Sequence, residues 1–214
     1  MESIKLLIES SGPVLEGVLE LPDHPPPLPA VLLCHPHPVY GGNMDNNVIV
    51  GIGRKLVKKG FAVLRFNFRG TGRSKGFFDE GIGEADDARA ALAYLRGREE
   101  VDPCRIGLLG YSFGGMIAFS VGVREDAIKA LAGISPVLAD GVLKSCYKPK
   151  IIISGADDDV VPASAILREI DKAGGPEAIN LEMKIINGAD HFWWGYESEI
   201  SGTVADFFSK NLII

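Results

Sequence analysis

The sequence predicts an α/β protein with a mostly parallel central sheet of about eight strands and helices on both faces. Three observations predict it. Strand-like and helix-like stretches alternate along most of the 214 residues, which implies right-handed crossovers and a mostly parallel sheet. Ala30–Cys34 is almost wholly apolar, as expected of a strand covered on both faces. Around Ser112 an apolar run enters Gly110-Tyr111-Ser112-Phe113-Gly114 and continues into an apolar helical stretch, a strand-turn-helix reversal.

Taken in order, residues 3–8 and 14–21 are short strand-like runs separated by Ser10-Ser11-Gly12-Pro13, which predicts an antiparallel hairpin. Pro22–Pro29 is read as neither helix nor central strand, because proline lacks the amide donor and restricts its predecessor. Ala30–Cys34 follows as the first central strand. A helical pattern over Asn46–Lys59 leads to a strand at Ala62–Phe68, a glycine-rich loop and a helix over Glu84–Gly97. The strand Arg105–Leu109 and the helix Phe113–Val123 flank the reversal. Strands at Ala130–Ser135 and Lys150–Ser154, a helix over Ala163–Ala173, a strand at Leu181–Ile186 and a helix over Ile200–Ser209 complete the pattern. The stretch between 135 and 150 is too short for an inserted lid, so the site is expected to be open there. Leu181–Ile186 offers a sheet edge on which two copies can pair, so monomer and homodimer are both compatible with the sequence.

Bulk properties narrow the function classes. A chain of 214 residues can bury one core without disulfides or metals and is read as a single domain. Hydrophobic residues make up 46% and charged residues 23%, ordinary for a globular enzyme and far from the composition of disorder. A net charge of -6 provides no basic stripe for phosphates, which argues against a nucleic-acid partner, and it disfavours membrane adhesion. Cys34, Cys104 and Cys146 are odd in number and lack a Cys-x-x-Cys pair, so a reducing, cytoplasmic setting is expected. Glu2, Lys5 and Glu9 interrupt the first apolar stretch, and no segment has the length of a bilayer span.

The reversal at 110–114 carries the chemistry. Small neighbours let the backbone turn sharply and lift the Ser112 hydroxyl out of the sheet. A serine alcohol is a weak nucleophile, so the turn needs a base and an orienting acid later in the chain. His191 follows the last predicted strand, and Asp157, Asp158 and Asp159 lie between, giving the order serine, acid, histidine. The Phe113 amide, directly after the serine at the positive end of a helix, is one expected donor to an oxyanion.

Five motifs occur in order, each at the carboxyl end of a predicted strand. They are Cys34-His35-Pro36-His37-Pro38 with Gly41-Gly42, Phe68-Arg69-Gly70-Thr71-Gly72-Arg73-Ser74, Gly110 to Gly114, Gly155 to Pro162, and Gly188-Ala189-Asp190-His191-Phe192. Open α/β sheets bind ligands at that edge. On these motifs the chain resembles the α/β-hydrolase superfamily, specifically its small bacterial-type members with little or no lid.

The resemblance implies an α/β-hydrolase fold and a triad of Ser112 as nucleophile, His191 as base and Asp158 as acid, with Asp157 as the alternative. It places the second oxyanion donor in the loop after the first central strand, where prolines at 36 and 38 leave the amide of His37, Tyr40 being the alternative. It makes the Arg-Gly-x-Gly turn structural, with Arg69 paired to Asp86 or Asp87. Tyr40, Tyr111 and Trp193 are expected to touch substrate, and Phe77, Phe78 and Trp194 are further pocket candidates. The implied activity is a serine hydrolase without cofactor, a carboxylesterase acting on small soluble acyl esters. Peptidases, thioesterases and lipases use the same triad, and a ligand-binding protein that keeps the fold is the alternative of another class. No metal is expected: His35 and His37 fall short of the three or four ligands zinc requires, and His35 is read as orienting its loop.

Overall fold

The computed structural model describes residues 2–9, 12–144 and 146–213. β1 (Glu2–Ile8) and β2 (Leu15–Leu21) form the antiparallel hairpin, and the Ser10-Ser11 part of its predicted connection lies outside the described residues. β3 (Leu28–Cys34), β4 (Ala62–Phe66), β5 (Val101–Tyr111), β6 (Ile128–Ile134), β7 (Lys150–Gly155) and β8 (Leu181–Ile186) extend it into an eight-stranded sheet. The order is β1-β2-β4-β3-β5-β6-β7-β8. β2 joins β4 antiparallel, and all pairings from β4 to β8 are parallel.

α1 (Asn47–Lys58) and α5 (Glu197–Leu212) cover one face, while α2 (Ile82–Arg96), α3 (Phe113–Gly122) and α4 (Ala163–Lys172) cover the other. The alternation of β3 divides the core. Val31 and Leu33 pack with Ile49, Ile52, Val204 and Phe208, whereas Leu32 and Cys34 face Leu92, Ile117 and Phe119. Strand side chains alternate across the sheet, so a strand buried on both sides must be apolar throughout.

Several boundaries depart from the sequence reading, among them β5, which runs Val101–Tyr111 rather than Arg105–Leu109, and β4, which ends at Phe66 rather than Phe68; two further departures have a plain physical reason. Pro29 lies inside β3 rather than before it: Leu28 pairs with Val101 and Ala30 with Ile106, so the proline sits at a register shift where no ladder donor is needed. α5 begins at Glu197 rather than Ile200, and its first turn holds Glu197 and Glu199, which suit the positive end of a helix dipole. Among the described residues no helix is long and apolar enough to cross a membrane.

Candidate active site

All the chemistry-bearing motifs meet at the carboxyl edge of the sheet. Ser112 follows β5 with φ 56 and ψ -117, a left-handed backbone that a serine adopts only where its surroundings enforce it. The enforcement is visible at the neighbouring glycines. A side chain at Gly110 would fall 1.9 Å from the Gly114 carbonyl oxygen, and one at Gly114 would fall 2.2 Å from that of Cys34. The backbone of Ser112 is pinned as well, its amide donating to Ile134 at 2.9 Å and its carbonyl accepting from Gly115 at 2.9 Å.

The Ser112 hydroxyl lies 3.0 Å from His191 Nε2, and His191 Nδ1 lies 2.9 Å from Asp158 Oδ2. With Nδ1 donating to the carboxylate, Nε2 is the free base that faces the hydroxyl. Asp158, and neither Asp157 nor Asp159, turns inward. Its Oδ1 accepts from the amides of Val160 at 3.0 Å and Val161 at 2.7 Å, which leaves Oδ2 for the imidazole, while both neighbouring aspartates are exposed. Burial is the largest single influence on this carboxyl and pushes its pKa up. The His191 hydrogen bond, the nearby Ser135 hydroxyl and the Val161 amide together outweigh burial and hold it below the ordinary value. Ser135 is buried at φ 41, and its amide donates to the Ile153 carbonyl at 2.7 Å.

The histidine loop is fixed at three points. Asp190 Oδ1 accepts from the amides of Phe192 at 2.9 Å and Trp193 at 3.1 Å. The Asp157 amide donates to Ala189 at 3.0 Å. The Tyr111 hydroxyl donates to the His191 carbonyl at 2.5 Å, tying the residue before Ser112 to His191. Burial, reinforced by the Asp158 and Asp190 carboxylates, raises the Tyr111 pKa and keeps the phenol a donor. The contact that defines Tyr111 is therefore to His191, although the residue also borders the cavity.

The loop after β3 is built around two histidines with different surroundings. Buried His35 donates from Nδ1 to the Pro36 carbonyl at 2.6 Å and accepts the Phe68 amide at Nε2, 3.0 Å away. Burial lowers its pKa to about 4, the Pro36 hydrogen bond opposing, so it stays neutral in this role. His37 Nδ1 accepts from the Val39 amide at 3.2 Å, and its carbonyl accepts from Tyr40 and Gly42 at 3.2 and 3.0 Å. The Tyr40 amide is thereby committed to the loop. No hydrogen bond among the described residues occupies the amide of His37, and Phe113 stands at the first position of α3, where an amide has no intrahelical acceptor.

A cavity of about 910 Å³ opens above Ser112 and His191. Tyr40, Phe78, Phe113 and Phe192 line it with Tyr111, while Phe77 and Trp194 are exposed and lie outside its lining. Trp193 corrects the expectation of a substrate contact. It is fully buried, at φ 62, and packs with Ile200 and Val204 beneath α5. The tight turn capped by Asp190 sends consecutive aromatic residues to opposite sides, and the largest apolar surface goes into the core. Arg69 pairs with Asp87 at 2.8 Å and not with Asp86, which binds Arg89.

Glu80, Met116, Val137 and Val160 also line the cavity without having been singled out in the sequence. Met116 is one helical turn after Ser112 and Val160 lies two residues after Asp158, so their spacing carried a usable signal. Nothing in the sequence around Glu80 carried one.

The model of the family described as X-Pro dipeptidyl-peptidase (S15 family) matches residues 12–150. The chain is 37% identical over 189 residues to an uncharacterized protein of Rickettsia prowazekii, covering 85% of this chain and 79% of that one. It is 26% identical over 148 residues to a bis(hydroxyethyl) terephthalate hydrolase of Streptomyces coelicolor, covering 67% of this chain but 46% of the relative. Among solved structures, a Xanthomonas campestris α/β serine hydrolase without a lid superposes with a TM-score of 0.87 at 26% identity, covering 100% of this chain and 96% of the other.

Proposed function

The chain belongs to the α/β serine hydrolases, in the family described as X-Pro dipeptidyl-peptidase (S15 family), and on that premise we propose that it is a carboxylesterase of small acyl esters. Ser112 attacks the ester carbonyl while His191 Nε2 takes its proton. The carbonyl oxygen gains negative charge, which the amides of Phe113 and His37 stabilise as the tetrahedral centre forms. Asp158 keeps the imidazole in the tautomer that accepts at Nε2 and stabilises the imidazolium. His191 then protonates the leaving alcohol, and the same groups activate a water that releases the acid from the acyl-enzyme.

The observation that carries this reading is the 3.0 Å approach of the Ser112 hydroxyl to His191 Nε2 at the floor of an open, largely aromatic and aliphatic cavity. The terephthalate-ester hydrolase relative supports esters as the substrate class. A peptidase reading has the family's description in its favour, yet the matched span ends before Asp158 and His191.

Both readings are separated by one panel: p-nitrophenyl esters of rising chain length, an X-Pro p-nitroanilide, and a fluorophosphonate probe applied to wild type and Ser112→Ala. The expected result is labelling of wild type alone and turnover of short esters far above the anilide. Turnover of the anilide at or above the ester rate establishes the peptidase instead, and absence of labelling in folded wild type removes the hydrolase.

A further inference from the structure

The structure assigns Glu80 a part in choosing substrates: within the proposed ester-hydrolysing site, its carboxylate favours esters that carry an organic cation over neutral esters of the same shape. This inference rests on the hydrolase reading above and adds the substrate's charge to it.

Of the described residues that line the cavity, Glu80 alone is an acid or a permanent cation; the other titratable groups there are His37, Tyr40, Tyr111 and His191. Its carboxylate is exposed and takes part in no hydrogen bond or ion pair among the described residues. A free carboxylate at the mouth of an otherwise aromatic and aliphatic cavity is an attractive point for one sign of ligand charge and a repulsive one for the other.

The position is also held in place before any ligand arrives. Buried Glu84 clamps the amides on either side of Glu80, accepting from Asp79 at 2.9 Å with one oxygen and from Gly81 at 2.7 Å with the other. Glu80 and Gly81 are both left-handed, at φ 51 and φ 95. The corner they form presses against the nucleophile helix: a side chain at Gly81 would fall 2.8 Å from Met116 Cε and 3.9 Å from the Phe113 ring. A charge on such a corner is presented to the ligand with little ordering left to do.

The rest of the lining suits the same ligand. The rings of Tyr40, Phe78 and Phe113 gather around His37 with centroids 4.7, 5.0 and 4.8 Å from it. Aromatic faces attract ammonium groups, most of all quaternary ones, which shed water easily. Carboxylate and rings therefore act together on a cation linked to the ester, and the carboxylate acts against a substrate bearing its own negative charge.

The probes are choline butyrate and 3,3-dimethylbutyl butyrate, which share a shape and differ in charge. Their ratio of kcat/KM is the readout, so a general loss of activity in a variant cancels. Wild type is expected to prefer the choline ester about fivefold at low ionic strength, with the preference shrinking in about 0.5 M salt. Glu80→Gln lowers that ratio about threefold or more, and Glu80→Lys lowers it further, below one. A ratio near one in wild type, or an equal ratio in wild type and Glu80→Gln, overturns the assignment. If neither ester is cleaved and the fluorophosphonate probe leaves Ser112 unlabelled, the hydrolase reading has failed and takes this inference with it; labelling with cleavage of the neutral ester at an unselective rate refutes Glu80 alone.

Discussion

Ser112, His191 and Asp158 are 7%, 7% and 4% exposed and linked to one another by hydrogen bonds, whereas Tyr40, Val160 and Phe192 border the same cavity at 85%, 61% and 57% exposure. Floor and rim thus present different physics to a substrate. On the floor nearly every polar atom has an assigned partner, so removing one leaves another buried and unpaired, which is costly. On the rim, Glu80 apart, the contacts are apolar and open to water, so each contributes in proportion to the little area it covers. Changes on the floor should therefore act steeply on turnover and stability, and changes on the rim gently on substrate preference.

Asp158→Asn tests the floor with the largest expected effect. The amide keeps the shape but no longer favours the imidazole tautomer that accepts at Nε2, and kcat is expected to fall about 10⁴-fold. Asp157→Asn and Asp159→Asn, both on exposed side chains, should change kcat by about twofold or less. Steady-state hydrolysis of p-nitrophenyl acetate measures all three, and equal losses at 158 and 159 would erase the distinction between a committed carboxylate and its solvated neighbours.

His35 tests the floor through pH. Its folded-state pKa of about 4 lies below the ordinary 6.5, so between those values the unfolded chain binds a proton that the folded chain refuses. Stability from this residue is full above about pH 6.5, declines as pH falls, and is lost by about pH 4, a change of about 3 kcal/mol. Urea unfolding at about pH 7.5 and about pH 4.5 gives the slope. His35→Gln should be less stable at the higher pH and show a shallower slope; parallel slopes would mean that the imidazole is not the linked group.

Tyr111→Phe is expected to act more mildly, because one hydrogen bond to the His191 carbonyl is lost and the ring stays in place. A fall of about fivefold in kcat, with KM within about twofold, is the expected pattern for a residue that positions the base. A change confined to KM would instead make Tyr111 a substrate contact.

The same contrast explains what the sequence made legible. Local chain geometry left strong marks: side chains at Gly110 and Gly114 would fall 1.9 and 2.2 Å from backbone carbonyl oxygens, and β8 spans the strand-like run Leu181–Ile186. Asp158 is singled out among three adjacent acids by the family resemblance, with Asp157 as the alternative, and the two amides that turn it inward belong to that same short loop. Features set by distant packing left none. Trp193 and Phe192 are adjacent and both aromatic, and only the turn capped by Asp190 decides that one is core and the other cavity wall. Glu80 owes its place to Glu84 and to contact with α3, and no motif announces either. Pro29 entered a central strand because a register shift between β3 and β5 spares its missing donor.

Phe192 and Trp194 give the smallest and most discriminating test of the rim. Both side chains are large, apolar and exposed, at 57% and 70%, but Phe192 borders the cavity and Trp194 does not. If rim residues act only through the area they share with substrate, Phe192→Ala should raise KM for a p-nitrophenyl ester of medium chain length about threefold while kcat holds. Trp194→Ala should then leave both constants within about 20%. An equal rise in KM for both variants would mean that substrate spreads over the exposed aromatic surface beyond the cavity, and the boundary between wall and surround would have to be redrawn to include Trp194. A fall in kcat at Phe192 would instead tie the rim to His191, whose ring lies 5.9 Å from that of Phe192 in an edge-on arrangement, and the separation of floor from rim would fail at that point.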